Sequence, residues 1–228
     1  MPLLHRSTPL LRRPIWLLRT LLTGLALIGL LSGCDEPPRP TVNLYHAVHS
    51  ADLDQIKRHR FWKTDINQAG PDGRYPLHVA VSQGRVVIAR ELLKQGAKLD
   101  ARDALGRTPL HVALANGKTQ AAQLLLKHGA EDDLQALLFD LANEQALDPD
   151  SIELLKSRGA DLNATDPEGH APLHRAVAAA NLKLAKQLIS AGANVNLASS
   201  SGKTTLQIAE EQDEPTLVAL LEQYGAER

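Results

Sequence analysis

Cysteine occurs once in these 228 residues, at Cys34, beside two Trp, three Tyr, two Phe and one Met. A single cysteine excludes an intramolecular disulfide and a thiolate metal site. With so few aromatic residues, a core has to be assembled from aliphatic side chains spread along the chain. There is no Gly-x-Ser-x-Gly elbow, no His-Glu-x-x-His and no partnered cysteine nucleophile, so the common hydrolase signatures are missing. An excess of positive charge is also lacking. The first 33 residues hold Arg6, Arg12, Arg13 and Arg19 and no acid, so the 25 basic and 26 acidic residues become 21 against 26 beyond them, about −5. Such a balance argues against nucleic acid, which selects basic patches.

The chain falls into two parts with different rules. The four arginines precede a short apolar run, Thr20 to Leu31, closed by Leu31-Ser32-Gly33-Cys34. A basic stretch, an apolar run too short to span a bilayer comfortably, and small residues make a signal peptide over residues 1–33. Asp35-Glu36-Pro37-Pro38-Arg39-Pro40 then reads as a stiff, polar tether over residues 34–40. From residue 41 onward a glycine–alanine pair recurs at Gly96-Ala97, Gly129-Ala130, Gly159-Ala160, Gly192-Ala193 and Gly225-Ala226, at intervals of 33, 30, 33 and 33 residues. A fixed period of this size marks a solenoid whose units bury their apolar faces only against neighbours.

The unit is clearest in Gly106-Arg107-Thr108-Pro109-Leu110-His111-Val112-Ala113, continued by Leu124-Leu125-Leu126-Lys127-His128-Gly129-Ala130. Gly106 suits a hairpin turn, Thr108 an N-cap, and Pro109 the first helical position. Leu110, Ala113 and Leu114 form one helical stripe, and Gly129 fits a left-handed C-cap. The order returns at Gly73 to Ala80, Gly169 to Ala176 and Gly202 to Ala209. Tyr75 and Ala171 replace the threonine, and Thr205 and Gln207 replace proline and histidine. Leu44 and Ala47, 33 residues before Leu77 and Ala80, mark a divergent first unit.

This pattern resembles the ankyrin repeat, Gly-x-Thr-Pro-Leu-His-x-Ala followed by Leu-Leu-x-x-Gly-Ala, over roughly residues 41–228. The resemblance implies an all-α solenoid of six helix–turn–helix repeats with finger-like hairpins, near 41–71, 72–104, 105–132, 133–165, 166–198 and 199–228. Leu-Ser-Gly-Cys is similar to the bacterial lipobox, which implies acylation of Cys34 and cleavage before it. The expectation is therefore a periplasm-facing lipoprotein, a monomer held to the membrane by its lipid. Asp35 favours the inner membrane, with the outer membrane as the alternative.

Repeat phase absorbs several imitations of active sites. Gly202-Lys203-Thr204 resembles the end of a phosphate loop, but Leu197 stands where that motif needs glycine. His78, His111 and His174 are the motif histidines of different repeats, each expected to bond a neighbouring loop. His46 and His49 lie one turn apart on a helix and lack an evident third metal ligand. No cofactor, metal or catalytic group is expected.

The partner in view is another protein. The residues after the finger glycines, Arg74, Arg107, His170 and Lys203, make a basic or titratable column suited to acidic segments. The inner-helix phase offers Gln83 and Asn116. Residues 131–153 lack the motif and hold eight acids, among them Asp140 and Asp148, with no Lys or Arg. Here the finger is expected to be shortened and the turn between helices lengthened. Two readings stand, a specialised docking surface or a decayed repeat. The functions expected are inhibition of, or immunity to, an envelope enzyme or toxin. The alternative is a scaffold for an envelope or oxidative-stress enzyme, with catalysis a distant third.

Overall fold

The computed structural model describes residues 36–227. The chain divides between Pro38 and Arg39, and everything below concerns the unit Arg39–Arg228. The signal peptide and Cys34 lie outside the described residues.

Twelve helices, among the described residues, follow one another as six antiparallel pairs. They are α1 (Leu44–His49) with α2 (Leu53–Phe61), α3 (Pro76–Ser82) with α4 (Val86–Lys94), and α5 (Pro109–Ala115) with α6 (Thr119–Lys127). The remaining pairs are α7 (Leu134–Asn143) with α8 (Pro149–Ser157), α9 (Pro172–Ala178) with α10 (Leu182–Ser190), and α11 (Thr205–Glu211) with α12 (Pro215–Gln223). Each first helix packs on the first helix of the next pair, and from α4 onward the second helices form a parallel outer row. The irregular unit is the fourth pair, α7 and α8. An isolated bridge, Ala198 to Thr204, is the only β pairing among the described residues.

The stacking explains the alanines. Ala47, Ala80, Ala113, Ala176 and Ala209 hold one phase of the inner helices, and all are buried. A methyl at that phase lets neighbouring helices approach closely, while Leu77, Leu110, Leu173 and Leu206 fill the space between them. Leu92, Leu125, Leu155, Leu188 and Leu221 complete the core from the outer row, so aliphatic residues do the work aromatics do elsewhere.

The turns between paired helices are less legible in sequence. The second residue before each regular second helix has positive φ: Ala51 59°, Gly84 67°, Gly117 64°, Ala180 52° and Asp213 54°. In the irregular pair Gln145 takes this role at 55°. Only two of these six positions are glycine, so packing of the two helices holds a conformation that most side chains disfavour.

Candidate functional site

The fourth pair makes the one large departure from periodicity. Connections 62–75, 95–108, 158–171 and 191–204 run fourteen residues each and form fingers, whereas 128–133 is only six residues. Helix α7 has ten residues where α3, α5, α9 and α11 have seven. The turn 144–148 has five residues where the other turns have three. Eight residues lost from the finger, with three gained in the helix and two in the turn, give the interval of 30.

Specific bonds replace those the missing finger would have made. His78 Nε2 donates to Arg107 O of the next finger at 3.0 Å. His111, at the same phase, has no such finger beside it and donates instead to Glu144 Oε1 at 3.1 Å, a correction to the loop bond expected for it. Asn67 bridges to the next repeat, accepting from Lys98 N at 3.0 Å and donating to Gly96 O at 3.1 Å. Asn196 does the same with Glu227 N and Gly225 O. At the irregular step Gln135, from the added turn of α7, accepts from Asp161 N at 2.8 Å and donates to Asp161 O at 3.1 Å. Asp133 caps α7, and Asp148 caps α8 through Asp150 N, Ser151 N and Ser151 Oγ. The fourth repeat thus keeps both helix caps and a side-chain bridge to the repeat that follows it.

The deletion opens a recess of about 660 Å³ between the finger 95–108 and α7. One wall is Arg102, Leu105 and Arg107, and the other is Asp132, Asp133, Asp140 and Glu144, with His111 at the back. Leu105, at the finger tip, is 74% exposed. Arg102 is tied to Gly106 O at 2.8 Å, and Asp132 accepts from Thr108 Oγ1 at 2.6 Å. Asp140 is exposed, and its carboxylate has no hydrogen bond or ion pair among the described residues. The recess is thus acidic on its helical wall and apolar at its lip.

Each member of the basic column already lies beside a carboxylate of this chain. Arg74 Nε donates to Asp72 Oδ2 at 2.7 Å, and Lys203 Nζ reaches Glu211 at 2.7 Å. Arg107 forks onto Asp103 through Nε and Nη2, at 3.1 and 2.9 Å. His170 Nδ1 stands 3.9 Å from Asp166, whose carboxylate is taken up by Arg175. Gln83 and Asn116 are exposed C-caps of α3 and α5, and Asn116 donates back to Val112 O. The tyrosine hydroxyl of Tyr45, then Arg74, hold the Asp72 carboxyl down at about 2. Burial pushes Asp103 up, but Arg107 N–H, the Arg107 guanidinium and Leu105 N–H outweigh it and leave the value lowered. Burial lowers His78 and His174.

Sequence reasoning missed Leu105 and Gln135. The signal for Gln135 was absent, since it lies two residues beyond the Asn phase. Leu105 could have been found as the apolar residue before a finger glycine in the repeat that precedes the short interval. Among the described residues no group of three His, Cys, Asp or Glu gathers to hold a metal.

Comparison with known proteins agrees with this architecture. A family profile described as ankyrin repeats (3 copies) matches residues 44–136 and 138–227, and the chain belongs to the ankyrin-repeat family. It is 30% identical over 200 residues to a Danio rerio protein provisionally named palmitoyltransferase ZDHHC13, covering 85% of this chain and 31% of that one. It resembles the ankyrin repeat domain of Bcl-3, a member of the IkappaB family, with TM-score 0.65 and 28% identity over 83% of this chain and 89% of that one. An ankyrin repeat domain from Acinetobacter baumannii AYE matches with TM-score 0.60 and 28% identity over 81% and 98% of the two chains. The chain spans less than a third of the length of the curated relatives it matches first. Ankyrin repeats are protein-interaction scaffolds, typically without catalysis of their own, and the chain is a solenoid of this kind.

Proposed function

We propose that the chain is a non-enzymatic, lipid-anchored binding module that faces the periplasm and takes a protein partner in the recess between the finger 95–108 and α7. Cys34 carries the lipid, and the inner membrane is the favoured location because Asp35 follows it. The partner is a cell-envelope enzyme or toxin held by a segment that enters the recess, as an inhibitor or immunity protein would hold it. The observation that carries the reading is the rebuilt fourth repeat. It keeps its caps and staples while opening about 660 Å³ where the others place a finger. The acidic wall at Asp140 and the apolar lip at Leu105 select a lysine- or arginine-bearing segment with an apolar neighbour.

A photo-crosslinking residue at position 105 or 140 of the acylated protein tests this in intact envelopes. The expected outcome is one protein joined at both positions and not from Lys186 on the outer row, with the product at position 105 lost in Asp140→Lys. Crosslinking no stronger at 105 and 140 than at 186 would refute the recess as the binding site. Mass spectrometry of the mature N-terminus tests the anchor, and an unmodified Cys34 would refute it.

A further inference from the structure

The charges of the solenoid are segregated. Residues 39–63 contain Arg39, Lys57, Arg58, Arg60 and Lys63 against Asp52 and Asp54, a net of +3. Residues 64–228 contain 16 basic and 22 acidic residues, a net of −6. The basic share is concentrated in Lys57-Arg58-His59-Arg60-Phe61-Trp62-Lys63, the end of α2. Phe61 is 49% exposed and meets Trp62 edge to face, with ring centroids 5.5 Å apart. Lys57 lies one turn before Phe61 on the same side of the helix. Arg58 and Arg60 are engaged by Asp54 and Glu91. Lys57 and Lys63 are exposed and have no carboxylate partner among the described residues.

The chain entering the solenoid is clamped to this end of α2. Arg39 lies over the Trp62 ring at 4.8 Å, Thr41 N donates to Gln55 Oε1 at 2.9 Å, and the buried His59 bonds Val42 O at 2.8 Å. His59 also meets Thr64 Oγ1 at 3.0 Å, so it joins the entering chain to the residues leaving the helix. Arg39 follows Cys34 by five positions, and a fully extended chain covers at most about 3.6 Å per residue, or about 18 Å in all. If Cys34 is acylated, as proposed above, the bilayer surface lies within that reach of Arg39, whose guanidinium covers Trp62.

We infer that the end of α2 is a second membrane contact, with Phe61 and Trp62 seated among the headgroups of an anionic bilayer and Lys57, Lys63 and Arg39 facing its phosphates. Aromatic rings favour the interfacial zone, and basic groups near an anionic surface add to the attraction. One acylated cysteine fixes where the protein is but leaves its orientation free. The basic end of an otherwise acidic solenoid turns toward the lipid and the acidic body turns away, which holds the fingers and the recess at a set angle to the membrane. The inference rests on the acylation of Cys34 for its location and on the patch alone for its chemistry.

Trp62 is the reporter. The chain's other tryptophan, Trp16, lies in the proposed leader and so outside the mature acylated protein. Mature acylated protein is placed in phosphatidylglycerol-rich vesicles with brominated acyl chains and in phosphatidylcholine vesicles of the same bromine content. Trp62 emission shifts to the blue and is quenched in the first and much less in the second. Lys57→Glu with Lys63→Glu, and separately Phe61→Ser, abolish the quenching although the acyl anchor keeps the protein on the vesicles and circular dichroism is unchanged. Acylated, vesicle-bound protein with unquenched Trp62 overturns the inference, and equal quenching in both lipids overturns the role of charge. A blue shift without lipid that grows with protein concentration assigns the patch to a second copy and likewise overturns it. Should Cys34 prove unmodified, the anchor falls separately, and the same quenching on protein added to excess anionic vesicles decides the patch. Its partitioning should then drop about fivefold for each lysine neutralised.

Discussion

His111 Nε2 and Glu144 Oε1 lie 3.1 Å apart and join the third repeat to the fourth, at the phase where His78 reaches the finger carbonyl of Arg107. A carboxylate only accepts, so the imidazole donates. The His111 side chain is 9% exposed and the Glu144 side chain 40%, so the bond runs from a buried donor to a partner at the rim of the recess.

Glu144→Ala therefore strands a buried donor. It should cost about 1 kcal/mol, the lower part of the range for an unsatisfied buried group because the rim admits water. Glu144→Gln keeps an acceptor in place and should stay near wild type. Urea denaturation of both variants checks this, and equal stability of the two would count against the bond.

At the inner-helix alanine phase the fourth repeat carries Leu141. Lys118 N bonds Ala113 O at 2.8 Å and Ala146 N bonds Leu141 O at 2.9 Å, which places the two residues at equivalent positions. Both are fully buried. Restoring the repeat pattern with Leu141→Ala should destabilise the protein by about 2–5 kcal/mol, because it opens a cavity. Ala113→Leu should also destabilise, by about 1–3 kcal/mol, because it forces α5 away from its neighbours. Thermal unfolding of each variant gives the sign.

Ala180 sits at φ 52° in the turn between α9 and α10. A Cβ in that region costs about 1–2 kcal/mol, part of which returns as the greater freedom of glycine in the unfolded chain. Ala180→Gly should therefore raise stability, by about 0.5–1 kcal/mol on balance. A lowered melting temperature would show that the Ala180 methyl is needed for packing.

The pH dependence should have two limbs. Burial lowers His78 and His174 below the ordinary 6.5, so the unfolded chain binds more protons and stability is lost as pH falls from about 6.5 through the folded values. Asp72, held at about 2 against an ordinary 3.8, adds a second loss between these values, joined by the lowered Asp103 and Asp166. His174→Gln should shrink the first limb and leave the second. Gln207 already fills that phase in the last repeat, where its side chain accepts from Thr204 N at 3.0 Å as His174 Nδ1 accepts from Ala171 N at 3.2 Å. Denaturant midpoints from pH 8 to 2 would read both limbs.

Much of the molecule was legible in its residues because repetition multiplies weak signals. Thr108, Pro109 and Gly129 each speak for one cap, and their recurrence in phase fixed the helix pairs, the buried alanine row and the place of the interruption. The short finger and long turn of the fourth repeat could be read from spacing alone, since the chain length between two helices limits what can form there. The basic column could not be judged this way. Whether Arg107 is free depends on Asp103 turning inward beside it, and the four-residue spacing is silent on where a side chain points.

Local sequence thus determined the elements and their order, because caps, prolines and apolar stripes act within a few residues of themselves. Only the tertiary structure decided what the missing finger leaves behind. The recess and its acidic wall arise between elements, as do the exchange of a backbone carbonyl for Glu144 and the clamp of Arg39 on Trp62. The His111–Glu144 bond and the Arg39–Trp62 contact join residues 33 and 23 positions apart, a separation at which tertiary packing, and no local preference, sets the distance.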